Sequence, residues 1–259
     1  MPINHARKVA KHFDERSRAY ADSVSTFQGD TLGLIARVAE PRPTDRVLDA
    51  GSGPGFVAHA LAKSVRVAVG LDLSLAMGRA ASRRAVERSI TGFHSTVGDL
   101  QIMPLGDESI NLIVSRFAMH HCPEVEIALS EMRRICRRGG RLVICDTAAP
   151  EAPDVARRMN EIEKTRDPSH VRNLRHSEWK ALLERCGFEV DWAEQSRIVL
   201  EFYNWVERAA TPASSVAELR RTFESSPADI RDAFEIIDEG DCIFFSWPVS
   251  LLRGIKPAD

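Results

Sequence analysis

The chain has 259 residues and carries 35 Lys and Arg against 37 Asp and Glu, a net charge of −2. That balance argues against a general nucleic-acid or membrane-surface binder, and an apolar content of 44% supplies the core of one α/β domain, with or without a small appendage. The five cysteines form no C-x-x-C pair, no stretch is apolar enough to span a bilayer, and the polar start lacks a signal-peptide core, so buried thiols in a reducing cytoplasm are expected.

Residues 4–40 read as two helices. Val9, Phe13 and Tyr20 share one face, and Leu32, Leu34, Ile35 and Val38 another. Pro41 and Pro43 then break the chain. Val47-Leu48 begins a buried strand that stops at Gly51, Gly53 and Gly55, and residues 56–62 read as a helix with an apolar face. Glycine tolerates positive φ and lets a ligand lie against bare backbone. The amides of a helix start favour polar or anionic groups. Residues 66–72 form a second strand ending in Asp72, the position from which an acid bridges a ribose diol. The dinucleotide fingerprint needs G-x-G-x-x-G, but here the spacing is G-x-G-x-G and Phe56 stands in place of the third glycine.

The stretch 47–55, Val-Leu-Asp-Ala-Gly-Ser-Gly-Pro-Gly, resembles the first motif of class I S-adenosylmethionine-dependent methyltransferases. For the glycines alone, a tight strand-to-helix turn with no ligand is the competing account. The stretch 12–20, His-Phe-Asp-Glu-Arg-Ser-Arg-Ala-Tyr, is similar to the leading segment of many small-molecule members, which lies over the cofactor. Tyr20 is the candidate contact there, with helix packing as its rival role; Phe13 reads as packing.

A helix over 75–88 follows, then a third strand over 91–97 that turns at Gly98-Asp99-Leu100. A Gly-Asp pair alone marks only a turn. Followed by Met103-Pro104-Leu105 it is again similar to the family, in which this acid accepts a bond from the adenine amino group. Residues 109–115 are a fourth strand, running into Arg-Phe-Ala-Met-His-His-Cys-Pro at 116–123. Ligands of open parallel sheets bind at the carboxyl ends of strands, so this segment stands in the expected crevice. A helix over 124–137 is expected to stop at Gly139-Gly140, and a fifth strand over 141–145 to finish at Asp146. The likeness is dense over 45–146 and loose elsewhere.

Residues 149–174 are polar and helical, a helix starts at Ser177, and a sixth strand covers 188–193. Residues 203–238 are helical again, and 242–252 read as a closing strand in which Pro248 suits an edge or a bulge. The alternation argues an α/β fold with a doubly wound, mainly parallel sheet. The resemblance implies seven strands in a Rossmann-like methyltransferase fold, one of them reversed. A single domain 1–259 is expected: an N-terminal helical segment 1–43, a cofactor-binding core 44–148, helical cap insertions 149–176 and 196–241, and a closing strand 242–254.

The resemblance implies S-adenosyl-L-methionine as cofactor and a small molecule as methyl acceptor. Asp49, Gly51 and Gly53 would surround its methionine part, with Ser52, Gly55 and Leu73 as further contacts. Asp72 would take the ribose, Asp99 with the Leu100 backbone the adenine, and the backbone near Ser115 would complete the amino-acid end. For Asp49, a helix- or turn-capping carboxylate is the alternative. Methyl transfer needs alignment and exclusion of water, and a base only where the acceptor holds its proton firmly. His121 and His120 are the candidate bases; a histidine bonded to a nearby carbonyl or carboxylate is the rival account of each. Phe117, Met119, His170 and Arg172 are candidate acceptor contacts, against core packing for the first two and surface solvation for the last two. No His, Asp and Glu cluster has metal-ligand spacing. No nucleic-acid or membrane partner is expected, and a monomer or homodimer is. Two other functions share the glycine loop: a nicotinamide-dependent oxidoreductase, and a cofactor-binding protein that does not methylate.

Overall fold

The structure, a computed structural model, describes residues 2–22 and 29–258. The side chains of residues 2–4, 18–22 and 29–30 lie outside the described residues, and Tyr20 is among them.

Five parallel strands form the heart of the sheet: β1 (Arg46–Ala50), β2 (Val67–Asp72), β3 (Phe93–Val97), β4 (Ile110–Arg116) and β5 (Cys136–Thr147). Their order is β3-β2-β1-β4-β5. The chain winds outward from β1 in one direction, then crosses to β4 and winds in the other. Crevices in such sheets open at that reversal. Alternate residues feed opposite faces, as strand geometry requires. Val47, Leu112 and Val143 pack under α2 (Gly29–Ala39) and α3 (Phe56–Leu61). Leu48, Ile113 and Leu142 pack against α5 (Val125–Ile135) and α7 (His176–Arg185). Covered on both faces, these strands read as continuous apolar runs.

The far side of the sheet is antiparallel. Strand β8 (Ile243–Ile255) lies between β5 and β6 (Glu189–Glu201), reversed to both, and the short β7 (Ile237–Asp238) pairs with β8 as an eighth strand. Pro248 is therefore in an interior strand and not at an edge, one of the two positions expected for it. The β5 ladder ends at the Thr147–Val249 pair, and the Pro248 carbonyl faces that side, accepting from Ala148 N at 2.8 Å. The donor Pro248 lacks thus falls just past the end of β5.

Other boundaries move for local reasons. Helix α5 ends at Ile135, before the glycines, because Cys136 already pairs with Ile110. Gly139, at φ 68°, and Gly140 instead form the bulged entry to β5. Helix α7 starts earlier than Ser177. Arg175 is its cap residue, and Glu178 reaches back to Arg175 N at 2.9 Å. Residues 196–201, assigned from sequence to the second insertion, continue β6.

The remaining helices are α4 (Leu75–Glu87), α6 (Pro153–Arg166), α8 (Phe202–Arg208), α9 (Ala213–Glu224) and α10 (Ala228–Phe234). Helices α6, α8, α9 and α10 close over the start of β8 around their own aromatic core. Trp205 meets Phe245 edge-on at 5.0 Å and Phe234 meets Trp247 at 4.7 Å. Such pairs contribute about 0.5–1.5 kcal/mol beyond area burial. Helix α1 (Pro2–Asp22) bridges the two parts. Asp14 accepts from Ser74 Oγ at 2.5 Å, at the start of α4, and Arg16 Nε donates to the Ala209 carbonyl at 2.7 Å. No helix among the described residues is long and apolar enough to cross a membrane.

Candidate active site

The loop after β1 sets the first wall. Gly51, Gly53 and Gly55 all take positive φ, at 76°, 49° and 83°. Their surroundings separate them. A Cβ on Gly51 would stand 2.4 Å from Ala118 Cβ, and one on Gly55 would stand 2.9 Å from the His59 ring. Around Gly53 nothing lies within 4 Å. Gly51 and Gly55 let the loop pack, and Gly53 leaves open backbone.

Asp72 ends the neighbouring strand. One carboxylate oxygen accepts from Gly53 N and the other from Ser74 N, both at 2.8 Å. Each oxygen keeps a lone pair for another donor. Burial pushes its pKa up, against the pull of those two amides. Gly98 N bonds the Asp72 carbonyl at 3.0 Å, which brings Asp99 alongside. Asp99 Oδ1 accepts from Gln101 N at 2.9 Å.

The segment after β4 sets the opposite wall. Phe117 takes a positive φ of 50°, and Met119–His121 form a 3-10 turn. A bulky residue held at positive φ stores roughly 1–3 kcal/mol of strain, which the surroundings must offset. Asp146, 1% exposed at the end of β5, supplies that hold. Its Oδ2 accepts from Met119 N at 2.9 Å and His120 N at 3.2 Å; its Oδ1 accepts from Thr147 N at 2.8 Å. His120 Nδ1 lies 2.6 Å from the same Oδ1. A proton shared there leaves the Nε2 lone pair uncommitted. Burial presses the His120 pKa down, but the Asp146 charge and hydrogen bond outweigh it, and the net movement is upward.

His121 differs. Ser169 Oγ donates to Asp167 Oδ1 at 2.6 Å, so it must accept from His121 Nδ1 at 3.1 Å. Burial first, and then the charge of His120, push the His121 pKa down to about 3. It stays neutral and is a weak base.

These walls enclose a cavity of about 240 Å³. Of the residues singled out from sequence, Gly51, Ser52, Gly53, Asp72 and Leu73 line it on one side with Asp99 and Leu100, and Phe117, His120 and His121 line it on the other. The remainder stand elsewhere. Asp49 is buried behind the loop, where Oδ2 caps α3 through Ala58 N at 2.9 Å. Burial raises its pKa to about 7. Gly55 packs on His59, and Ser115 is buried with Oγ on the Ala50 carbonyl at 2.8 Å.

Three expected acceptor contacts are corrected. Met119 is fully buried in the core, because the 3-10 turn sends its one apolar side chain inward. His170 is buried with Nε2 on Asn160 Oδ1 at 2.9 Å, and burial with the His120 charge presses its pKa to about 2. Arg172 is exposed and pairs with Glu178 at 2.6 Å.

Several residues at the cavity were given no functional role from sequence. Arg116 lines it and Asp146 is buried behind the turn that carries His120; each stands at or next to the end of a strand, as Asp72 does, and that position was the available signal. The cap contributes Glu163, Arg166 and Trp205, β8 contributes Trp247, and α1 contributes His5 and Val9. Trp247 Nε1 donates to Glu163 Oε1 at 2.6 Å, and the Arg166 guanidinium lies 4.9 Å over the Trp205 ring. Among the described residues no three His, Cys, Asp or Glu converge to hold a metal ion.

The arrangement offers an open-backbone cradle with two carboxylates on one wall, and an imidazole with a free nitrogen on the other. The model of the methyltransferase domain matches residues 48–144. The uncharacterized methyltransferase YcgJ of Bacillus subtilis is 30% identical over 246 residues, covering 94% of this chain and 97% of that relative. The crystal structure of YcgJ superposes with a TM-score of 0.85 over 88% of this chain and 98% of that one, at 30% identity. A demethylmenaquinone methyltransferase of Clavibacter sepedonicus is 31% identical over 64% of this chain and 68% of that relative.

Proposed function

Because this chain belongs to the class I S-adenosylmethionine-dependent methyltransferases, we propose that its cavity holds S-adenosylmethionine along the glycine-loop wall and a small acceptor between that wall and the cap. The residues present fit the cofactor. Gly53 leaves room at the backbone, and Asp72 keeps lone pairs for the ribose hydroxyls. Asp99 with Leu100 stands on the same wall for the adenine. When bound, the cofactor supplies an electrophilic methyl on a sulfonium sulfur. The nicotinamide alternative is not favoured.

The observation that carries the mechanism is the 2.6 Å contact between His120 and Asp146 on the opposite wall. His120 Nε2 takes the proton that an O–H, N–H or acidic C–H acceptor loses. Asp146 compensates the imidazolium charge and fixes the ring. The acceptor rests against Phe13, Trp205 and Trp247, which exclude water from the reacting centre. The core 44–148 holds the cofactor and the helical insertions close over the acceptor. The absence of a strong excess of basic residues fits a small acceptor better than a nucleic acid. All five cysteines are free, which fits a reducing compartment such as the cytoplasm.

The test is transfer of a labelled methyl group to a panel of phenols, carboxylic acids, amines and carbon acids. Transfer that His120→Asn slows without weakening S-adenosylhomocysteine binding supports the assignment. Transfer that is indifferent to this substitution overturns the base.

A further inference from the structure

Arg116 closes β4 at the point where the winding of the sheet reverses. β1 and β4 are in register at Asp49–Val114, and two residues further on they reach Gly51 and Arg116. Arg116 lines the cavity with that loop. Its side chain is tightly placed. Nε donates to Thr31 Oγ1 of α2 at 3.1 Å, and the guanidinium lies 4.6 Å over the Phe117 ring.

Among the described residues Nη2 has no such partner: it is buried and makes no hydrogen bond there, and no carboxylate of those residues stands within ion-pair distance of Arg116. Burial lowers its pKa, and the charges of Asp49 and Asp146 act on it only through space. A guanidinium remains charged even so. A buried charge without a partner is costly, and an anion delivered by a ligand removes that cost. Arg166, another arginine of the cavity, is by contrast paired with Glu163 at 3.1 Å.

We propose that Arg116 is an anion-binding residue of the cofactor site whose Nη2 takes the α-carboxylate of S-adenosylmethionine, an assignment that rests on the cofactor reading above. Arginine suits this role because its planar fork matches a carboxylate. Thr31 and Phe117 hold the fork still, so little side-chain freedom is lost on binding. Arg116 thereby selects cofactors that carry an amino-acid tail.

Calorimetric titration tests this with two ligands. S-adenosylhomocysteine carries the carboxylate, and 5′-methylthioadenosine keeps the adenosine and thioether but lacks it. Arg116→Gln is expected to weaken S-adenosylhomocysteine about 10- to 100-fold and leave 5′-methylthioadenosine within about twofold. Arg116→Lys should restore part of the loss. Should the Gln variant not fold, decarboxylated S-adenosylmethionine on the unaltered protein gives the same comparison, with a similar loss relative to the parent cofactor. Unchanged S-adenosylhomocysteine affinity, or an equal loss for both ligands, overturns the inference alone. A loss seen only in the KM of a carboxylate-bearing acceptor assigns the guanidinium to the acceptor and overturns it too. An unaltered protein that binds neither ligand overturns the cofactor reading and this inference with it.

Discussion

His120 Nδ1 and Asp146 Oδ1 stand 2.6 Å apart, the first in the turn after β4 and the second at the end of the adjacent β5. Because the two strands are hydrogen-bonded neighbours, the sheet itself sets the spacing of the pair. Asp146 also holds the amides of Met119, His120 and Thr147, so one buried carboxylate shapes the turn and orients the ring.

The dyad predicts a pH signature. With His120 as the proposed base, the neutral imidazole would be the working form, so kcat should rise as pH passes upward through the His120 pKa, which lies above its ordinary value. Asp146→Asn removes the charge that raises it, so the acidic limb of the profile shifts to lower pH while the plateau falls. His120→Asn should lower the plateau by about 100-fold or more. A kcat profile for Asp146→Asn whose limb stays at the parent's pH would remove Asp146 from the mechanism.

Asp146→Asn also predicts a stability loss. An amide offers one acceptor oxygen where the carboxylate accepts on both. Leaving a buried donor unpaired costs about 1–3 kcal/mol. Urea unfolding checks this, and a midpoint equal to the parent's contradicts it.

The loop glycines predict opposite phenotypes. Gly51→Ala meets Ala118 Cβ at 2.4 Å with φ at 76°, so it should destabilise by about 2 kcal/mol or more, and Ala118→Gly should recover part. Gly53→Ala meets nothing within 4 Å, so the strain of its positive φ should limit the cost to about 1–2 kcal/mol. It should nonetheless weaken cofactor binding, because the new methyl occupies the open backbone. Thermal unfolding and titration of both variants separate the two effects.

The sheet core was legible because Val47, Leu48, Leu112, Ile113, Leu142 and Val143 are apolar neighbours on strands buried on both faces. Asp72 was legible because its distance from the glycine loop is set by one helix and one strand. Asp146 and Arg116 were not, since each is a single charged residue whose partner comes from another strand or helix. Met119, His120 and His121 are consecutive, yet only the turn geometry sends the first to the core and the others to the cavity. Trp205 and Trp247 meet only because β6 and β8 pair along their full length, a long-range contact that no local pattern announces.

Asp49 predicts a second pH effect, in stability. Its folded pKa is raised to about 7 from an ordinary 3.8, so between those values the folded state holds more protons than the unfolded one. Stability from this group is present at low pH and is lost as pH rises through about 7. Asp49→Asn keeps an acceptor for Ala58 N without the buried charge. Its stability relative to the parent should therefore be more favourable at pH 8 than at pH 5. Parallel urea-derived stabilities for the two proteins across that range would contradict the burial of a titrating acid here.

The proposed seat of S-adenosylmethionine requires its ribose to lie against Asp72. Titration of S-adenosylhomocysteine into the parent and into Asp72→Ala tests that most directly. The loss of charge-assisted bonds to a diol should weaken binding by about 1.5–3 kcal/mol, while His120→Asn binds as the parent does. An Asp72→Ala variant that binds as tightly as the parent would contradict the placement of the cofactor on this wall.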